Sequence, residues 1–384
     1  MLELAASLGL FGSIGYDPVF ATPLRDSRCL RFERWVLERQ ISDNNLCRYY
    51  RYGPHASEES PLATAYAILL LNRSHPEIAD RLADGITALQ GRFASNRYVS
   101  GGVPSIANDD SLMFYSSDAL AAIKALMAVY KRSGATAPMH AAKGFVEFVH
   151  RLVDGERAGF LVENLDFPMQ YVRPNGDFQN WLVPNVAMLF WDALRDYAEA
   201  AGDAATARLF ERGRTLLLRS AQADNGAFYD HYDPGYPPRG YSPERWRWYK
   251  INPDGARIAI GDNMMMSALG ALRMGDTAAV DRFLQWARPT GGKFYAYIDV
   301  ESGGSGFLHS DRRYFDVVSS AMYYELLEAR GRLTDATRRQ LEAVFKQSAA
   351  DDGGYRWGLR ASDDGWVQDS AEALVTGYWI AQTC

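Results

Sequence analysis

Residues 225–250 bring together tyrosines, tryptophans, arginines and acidic side chains that could carry chemistry. Tyr229 and Asp230 lie near the start of the stretch, and aromatic residues alternate with arginine and lysine at its end. Tyrosine and aspartate can move protons, cations can neutralise a developing negative charge, and aromatic rings can stack on sugar faces. The alternative is a loop whose rings pack on one another. The candidate substrate-binding residues are Arg245, Trp246, Arg247, Trp248, Tyr249 and Lys250.

Carboxylates outside this stretch offer further candidates for an acid and a base. Glu163 follows an apolar pair in a strand-like run and has no evident capping role, which favours chemistry. Asp109 and Asp110 are adjacent and precede a predicted helix, so they fit either a catalytic pair or a turn. Four residues near later helix starts are further substrate-binding candidates: Asn263, Arg312, Arg313 and Tyr314.

Other aspartates fit a structural role better. Asp262, Asp316 and Asp369 each stand where a helical pattern begins, as does the segment from Ser116 to Asp118. Side-chain oxygens at such positions accept hydrogen bonds from the unpaired amides of the first turn. We therefore expect these residues to be helix N-caps.

Several classes of site and partner are excluded by the composition. There is no phosphate-binding loop, dinucleotide fingerprint or nucleophile elbow, so no cofactor is predicted. The six histidines are scattered, which argues against a histidine or cysteine metal site, although carboxylates can hold calcium without a readable motif. A formal net charge of −6 argues against nucleic acid as a partner.

Three cysteines, Cys29, Cys47 and Cys384, form no paired motif, so no disulfide framework is expected. Met1 to Tyr16 lacks the basic start of a signal peptide, and no apolar run is long enough to span a membrane. These features predict a soluble, cytoplasmic protein, with an exported form left open. A homodimer also stays open.

The elements that must position the candidates are helices in pairs. Amphipathic, charged segments alternate with segments rich in Ala, Leu and Met, and Gly-aromatic loops separate them. The predicted pairs are 27–41 with 60–73, 77–93 with 116–132, 138–153 with 184–200, 204–222 with 262–274, 277–287 with 316–330, and 334–348 with 369–382.

Six such hairpins predict an all-α, (α/α)6 toroid formed by residues 1–384 as a single domain. The charged helices suit an outer ring in water, and the small residues of the second helices suit a crowded inner ring. The long loops all connect an outer to an inner helix, so they gather on one face. The site is therefore expected at that face, at the mouth of the inner ring.

Five short segments follow one another in a recognisable order: Asn185 to Asp192, Glu211 to Gly213, Gly226 to Asp230, Trp246 to Tyr249 and Gly261 to Asn263. With these segments, residues 181–288 resemble the C-terminal helical domain of D-glucuronyl C5-epimerases, which act on heparan-type polysaccharides. The resemblance implies an enzyme acting on a uronic-acid polymer, with Glu163, or alternatively Asp166, in the place of a family glutamate. A family histidine motif is replaced here by Tyr249-Lys250-Ile251.

The predicted reaction is proton abstraction at C5 of a uronic acid within an oligo- or polysaccharide. Glu163 and Tyr229 would act on opposite faces of the ring, and arginines would neutralise the enediolate. Return of the proton gives epimerisation, whereas loss of the group at C4 gives a lyase.

Three alternatives stay open. A glycoside hydrolase would use two carboxylates across a groove, and Asp109-Asp110 weakly resembles the paired aspartates of α-1,6-mannanases. A terpene-cyclase-like toroid would use an aromatic cavity, but its DxDD motif is absent. A non-catalytic glycan-binding toroid would use the same rings, and fold alone does not decide among these.

Overall fold

The computed structural model describes most of the chain in eleven segments. These are 27–49, 57–107, 112–154, 171–179, 185–229, 231–232, 247–248, 250–251, 257–306, 314–360 and 373–384.

Alternating outer and inner helices form the described chain, as the sequence predicts. The outer helices are α1 (Ser27–Trp35, continued by a π-helical turn Val36–Gln40), α3 (Pro76–Gly91), α5 (Thr136–Asp154), α8 (Ala204–Ser220), α10 (Thr277–Trp286) and α12 (Asp335–Ser348). The inner helices are α2 (Pro61–Leu71), α4 (Ser116–Ser133), α6 (Val186–Leu189) with α7 (Ala193–Ala201), α9 (Gly261–Arg273), α11 (Val317–Ala329) and α13 (Ala373–Ala381).

The two sets of helices differ in burial. Inner helices such as α11 are buried on most sides, whereas α12 buries one stripe, Leu341, Val344, Phe345 and Ser348, at helical spacing. That spacing places apolar groups on one face and leaves the charged residues in water. No helix in the described residues is long and apolar enough to cross a membrane.

The inner helices pack in sequence around a closed ring. α2 packs on α4, α4 on α6 and α7, α6 on α9, α9 on α11, and α11 on α13. The ring closes because α13 packs on α2 and also contacts α1. A side-chain carbon at Gly377 of α13 would overlap the ring of Phe32, a fully buried residue of α1, so glycine permits this approach. The predicted (α/α)6 toroid is confirmed.

Short links return the chain from each inner helix to the next outer helix. Gly134 and Gly202 end α4 and α7 in the left-handed conformation that glycine adopts without strain. At two other links, Asp276 and Thr334 cap the outer helices α10 and α12 by accepting hydrogen bonds from Ala279 N and Thr337 N. These tight turns keep the long loops on the opposite face.

Short antiparallel strands lie in the long outer-to-inner connections. β3 (Phe114–Tyr115), β9 (Arg257–Ile260) and β12 (Tyr314–Asp316) run directly into inner helices α4, α9 and α11. The others are β1 (Cys47–Arg48), β2 (Glu59–Ser60), β4 (Tyr171–Val172), β5 (Phe178–Gln179), β6 (His231–Tyr232), β7 (Arg247–Trp248), β8 (Lys250–Ile251), β10 (Phe294–Tyr295), β11 (Tyr297–Asp299) and β13 (Gly358–Arg360). The sheet orders are β1-β2, β3-β4-β5, β6-β7, β8-β9-β11 and β10-β12-β13.

A disulfide joins Cys29 of α1 to Cys384, beyond α13, with the two Cα atoms 6.6 Å apart. The expectation of no disulfide is therefore wrong. Ring closure brings together residues separated by 355 positions, which spacing along the chain does not reveal. The prediction of a cytoplasmic protein loses its support from cysteine usage. Cys47 is free and buried.

Replacing both bonded cysteines with serine should lower the free energy of unfolding by about 2–4 kcal/mol, since the unfolded chain gains freedom. Urea unfolding with and without dithiothreitol measures this difference. The reductant should destabilise the wild type and leave the double variant unchanged. Equal stability of the two proteins without reductant would contradict the prediction.

Candidate functional site

A cavity of about 220 Å³ opens at the amino ends of the inner helices. Its walls combine hydroxyl, amide and carboxyl groups with a few apolar side chains. Amino ends of helices carry unpaired amides and a partial positive charge, so this position suits polar or anionic ligands. The described lining residues are Tyr49, Leu62, Tyr66, Ser105, Tyr115, Ser116, Ser117, Asp118, Asn185, Val186, Ala187, Asp262, Asn263, Met266 and Val375.

Asp118 is a buried carboxyl group in the first turn of α4, and its side chain is not a cap. Tyr115 occupies the N-cap position without a side-chain bond, so the N-cap prediction for this segment is wrong. Burial raises the pKa of Asp118 to about 7, and a hydrogen bond from Ser117 Oγ at 3.3 Å opposes that effect. Asp118 therefore retains a proton near neutral pH and can donate it.

Asp262 brings a second carboxyl group to the same cavity from α9. It lies one residue inside the helix, because Ile260 holds the N-cap position, so its N-cap prediction is also wrong. Its Oδ1 accepts from the backbone N of Asn263 at 2.8 Å. Asn263, a predicted substrate-binding residue, lines the cavity too. The carboxyl groups of Asp118 and Asp262 and the amide of Asn263 thus line the same cavity.

Tyr66 of α2 lines the cavity and packs on aromatic rings deeper in the ring of helices. Its ring centroid is 4.8 Å from that of Tyr378 and 5.6 Å from that of Phe190. The Arg273 guanidinium lies 5.6 Å from the ring centroids of both Phe190 and Trp379. These contacts join α2, α6, α9 and α13 beneath the cavity.

Ion pairs join α9 to α11 and α4 to α7. Arg273 Nη2 is 3.7 Å from Glu325 Oε1 of α11. Burial alone would lower the pKa of Arg273, but the Glu325 and Asp192 carboxylates outweigh it and raise that pKa. Lys124 Nζ of α4 bonds Asp192 and Asp196 at 2.7 and 2.8 Å. The ion pairs hold the inner helices in register below the site.

Tyr314, another predicted substrate-binding residue, lies in the strand before α11. Its ring contacts Tyr297 and Trp357 at centroid distances of 5.9 and 5.4 Å. Burial, Tyr297 and the nearby aspartates Asp316 and Asp262 raise its pKa, so it stays protonated. Asp316 caps α11 by accepting from Val318 N at 2.8 Å, which confirms its predicted N-cap role.

Most other candidates from the sequence cannot be located in the cavity. Tyr229 is half-buried against the core, with its N bonded to Ala221 O, and it is not among the described lining residues. Only backbone is described for Arg247, Trp248 and Lys250, in β7 and β8. The following lie outside the described residues: Glu163, Asp109, Asp110, Asp166, Asp230, Arg245, Trp246, Tyr249, Arg312, Arg313 and Asp369.

Sequence reasoning did not select Asp118, Ser117 or Asn185. The helix-start position of Ser117 and Asp118 suggested capping, and Asn185 entered only as part of the segment that resembles C5-epimerases. Neither pattern reveals whether a side chain turns into a cavity. One usable signal was that Asp118 follows two serines, either of which could have served as the cap. In the part of the chain that is described, no group of three or more His, Cys, Asp or Glu is arranged to hold a metal.

No family model matches the sequence, and no curated protein matches it. Solved structures do match the fold. D-mannose isomerase has a TM-score of 0.65 at 10% identity, covering 96% of this chain and 98% of its own. Cellobiose 2-epimerase from Bacillus thermoamylovorans has a TM-score of 0.62 at 10% identity, covering 91% of this chain and 96% of its own.

Unsaturated glucuronyl hydrolase from Bacillus sp. GL1 has a TM-score of 0.59 at 12% identity, covering 92% of this chain and 93% of its own. The class defined by the fold is thus the (α/α)6 toroid, which this chain shares with sugar epimerases, isomerases and glycoside hydrolases. None of these three is a glucuronyl C5-epimerase, so that resemblance stays an expectation.

Asp118→Asn should stabilise the protein at pH 8 by up to about 4 kcal/mol. Between about pH 4 and 7 the unfolded chain releases a proton that folded Asp118 retains, so wild-type stability falls as pH rises. The asparagine amide does not ionise, so the variant does not lose stability in this way. Urea unfolding from pH 4 to 8 should show that the free energy of unfolding of Asp118→Asn exceeds that of the wild type by an amount that grows up to about pH 7 and then stays constant.

Asp335→Asn, at an exposed position of α12, is the matched control for replacing an aspartate with asparagine. A pH-independent difference between Asp118→Asn and wild type would contradict the burial argument.

Proposed function

We propose that the protein is a glycoside hydrolase in which Asp118 and Asp262 form the carboxylate pair. The observation that carries the proposal is that two carboxyl groups, from different inner helices, line one polar cavity while burial keeps Asp118 protonated near neutral pH. Glycosidic cleavage needs this combination, a proton donor on one side of the bond and a carboxylate on the other.

Each residue has a defined task in this mechanism. Asp118 donates its proton to the glycosidic oxygen as the bond from that oxygen to the anomeric carbon breaks. Ionised Asp262 stabilises the positive charge on the sugar and either activates water or attacks the anomeric carbon. Asn185, Asn263 and Ser117 supply amide and hydroxyl groups that can bind sugar hydroxyls.

The chemistry of the walls argues against two of the alternatives. A terpene cyclase needs an apolar cavity for a hydrocarbon, whereas carboxyl, amide and hydroxyl groups line this one. A binding protein without catalysis gains nothing from a buried carboxylic acid, which lowers stability at neutral pH. The hydrolase among the structural neighbours is consistent with our proposal.

The second candidate is proton transfer at C5 of a uronic acid, giving epimerisation or β-elimination. It is supported by the sugar epimerase and isomerase that share the fold, and by the resemblance of residues 181–288 to C5-epimerases. Glu163 and Tyr229 are its proposed acid and base. Asp109 and Asp110 remain a proposed alternative pair for hydrolysis, with Arg245, Arg312 and Arg313 proposed to bind an anionic sugar.

Asp118→Asn and Asp262→Asn should each lower kcat on a cleaved glycan by roughly 10²–10⁴-fold, because each removes one proton-transfer or charge-stabilising group. Reducing-end release from a panel of neutral and acidic oligosaccharides measures the rate. Wild-type activity should also fall above about pH 7, where the acid loses its proton.

Asp335→Asn should keep full activity and serves as the control for carboxylate loss. Retention of wild-type kcat by Asp118→Asn would remove Asp118 from the mechanism. Loss of activity only in Asp109→Asn or Asp110→Asn would assign hydrolysis to that pair instead.

The second candidate predicts a different product in deuterated water. Incubation with uronate polymers should place deuterium at C5, or give the ultraviolet absorbance of an unsaturated uronate, and Tyr229→Phe should abolish both. Proton NMR and absorbance read these signals. Their absence, together with release of saturated reducing ends, would exclude epimerisation and elimination.

A further inference from the structure

Arg173 is a cation that the hydrolytic mechanism does not use, and two aromatic rings separate it from the cavity wall. It follows β4 directly, and its guanidinium carbon is 5.9 Å from the ring centroid of Tyr171. Tyr171 pairs with Tyr115 across the β3–β4 ladder, and their ring centroids are 5.6 Å apart. Tyr115 lines the cavity. A row of two rings therefore connects the arginine to the cavity wall.

The Arg173 side chain has no carboxylate partner among the described residues. Its Nε is shielded from solvent and has no hydrogen-bond acceptor there. An arginine side chain held this way retains donors for a planar anion. Carboxylates fit that geometry because two parallel N–H donors can bind both oxygens.

The backbone holds Arg173 in place. Arg173 N donates to Asp177 O at 2.7 Å, and Gly176 N donates to Arg173 O at 2.9 Å, which closes the β4–β5 turn. Gly176 has a φ of +93°, and a side-chain carbon there would press on the ring of Tyr98, so only glycine suits this turn. The backbone from which the Arg173 side chain extends is therefore fixed by the turn itself.

The charge of Arg173 acts on the cavity wall. Burial, Asp118 and Tyr171 raise the pKa of Tyr115, and Arg173 opposes them. With a pKa of about 7, Asp118 is only partly ionised at neutral pH, so it repels an anionic ligand less than a fully charged carboxylate would. The positive charge of Arg173 thus favours an anion on the Tyr115 side of the cavity.

We propose that Arg173, with Tyr171 and Tyr115, binds the carboxylate of a uronic-acid residue, so that the substrate is an acidic rather than a neutral glycan. The inference rests on the proposed action on a glycan, and it assigns the acidic substrate class to the hydrolase together with the residue that recognises the acid group. The guanidinium binds the carboxylate, and the two rings flank the sugar.

The test compares each uronate with its neutral counterpart. Isothermal titration calorimetry at pH 7 and constant ionic strength measures binding of D-glucuronate against D-glucose, and of D-galacturonate against D-galactose. The wild type should bind one uronate at least about tenfold more tightly than its neutral partner. Arg173→Gln should lose roughly 10- to 100-fold in uronate affinity and leave neutral-sugar affinity unchanged, and Arg173→Lys should recover part of the loss.

Arg97→Gln is the matched control. Arg97 also lies over a tyrosine ring, 5.5 Å from that of Tyr98, but it is exposed. This variant should bind uronates as the wild type does. The inference is overturned if the wild type shows no uronate preference, if Arg97→Gln loses as much affinity, or if Arg173→Gln weakens uronate and neutral sugar equally.

Failure of the hydrolase proposal is distinguishable from failure of this inference. Asp118→Asn should still bind the preferred uronate, since binding needs Arg173 and not the proton donor. Arg173-dependent uronate binding in a protein that cleaves no glycan would support this inference and exclude hydrolysis. Cleavage of neutral and acidic glycans at equal rates, unaffected by Arg173→Gln, would overturn it and leave the hydrolase proposal standing.

Discussion

The packing of α13 on α2 is the contact on which the rest of the structure depends. Inner helices that are apolar on most sides cannot face water, and only a closed ring gives each of them two inner neighbours. Closure is reinforced outside by Phe32 against Gly377 and by the Cys29–Cys384 bond. Because the ring closes, the amino ends of helices far apart in sequence meet around one cavity.

Closure of the helical ring also determines which side chains line the cavity at the amino ends of the inner helices. Asp118 and Asp262 lie more than 140 residues apart in the sequence, on different inner helices, and burial within the ring raises the pKa of Asp118 to about 7. Such burial lowers stability wherever the carboxyl group would otherwise ionise. Binding and catalytic sites often carry a cost of this kind, since activity needs groups that a stable core would not contain.

Much of the fold could be predicted from the sequence because helix periodicity, capping residues and loop lengths are local. All six helix pairs lie within a few residues of the prediction, and Asp316 caps α11 as expected. The inner helix predicted at 184–200 is split into α6 and α7 at Phe190 to Asp192, and the sequence has no proline or glycine there that would predict the break.

The site was harder to predict because it depends on orientation. An aspartate at a helix start has the same sequence context whether it caps the helix, like Asp316, or lines a cavity, like Asp118. Arg173 has no motif at all, and its significance comes from a ladder that pairs Tyr171 with Tyr115. The disulfide likewise follows from ring closure and not from spacing.

The titration of Asp118 tests the central claim most directly. Infrared difference spectra of wild type and Asp118→Asn, recorded from pH 4 to 9, isolate the carboxyl band of this residue. We expect a single transition from carboxylic acid to carboxylate with a midpoint near pH 7. A midpoint near pH 4, as for an aspartate in water, would mean that Asp118 is not buried as an acid and would contradict its assignment as the proton donor.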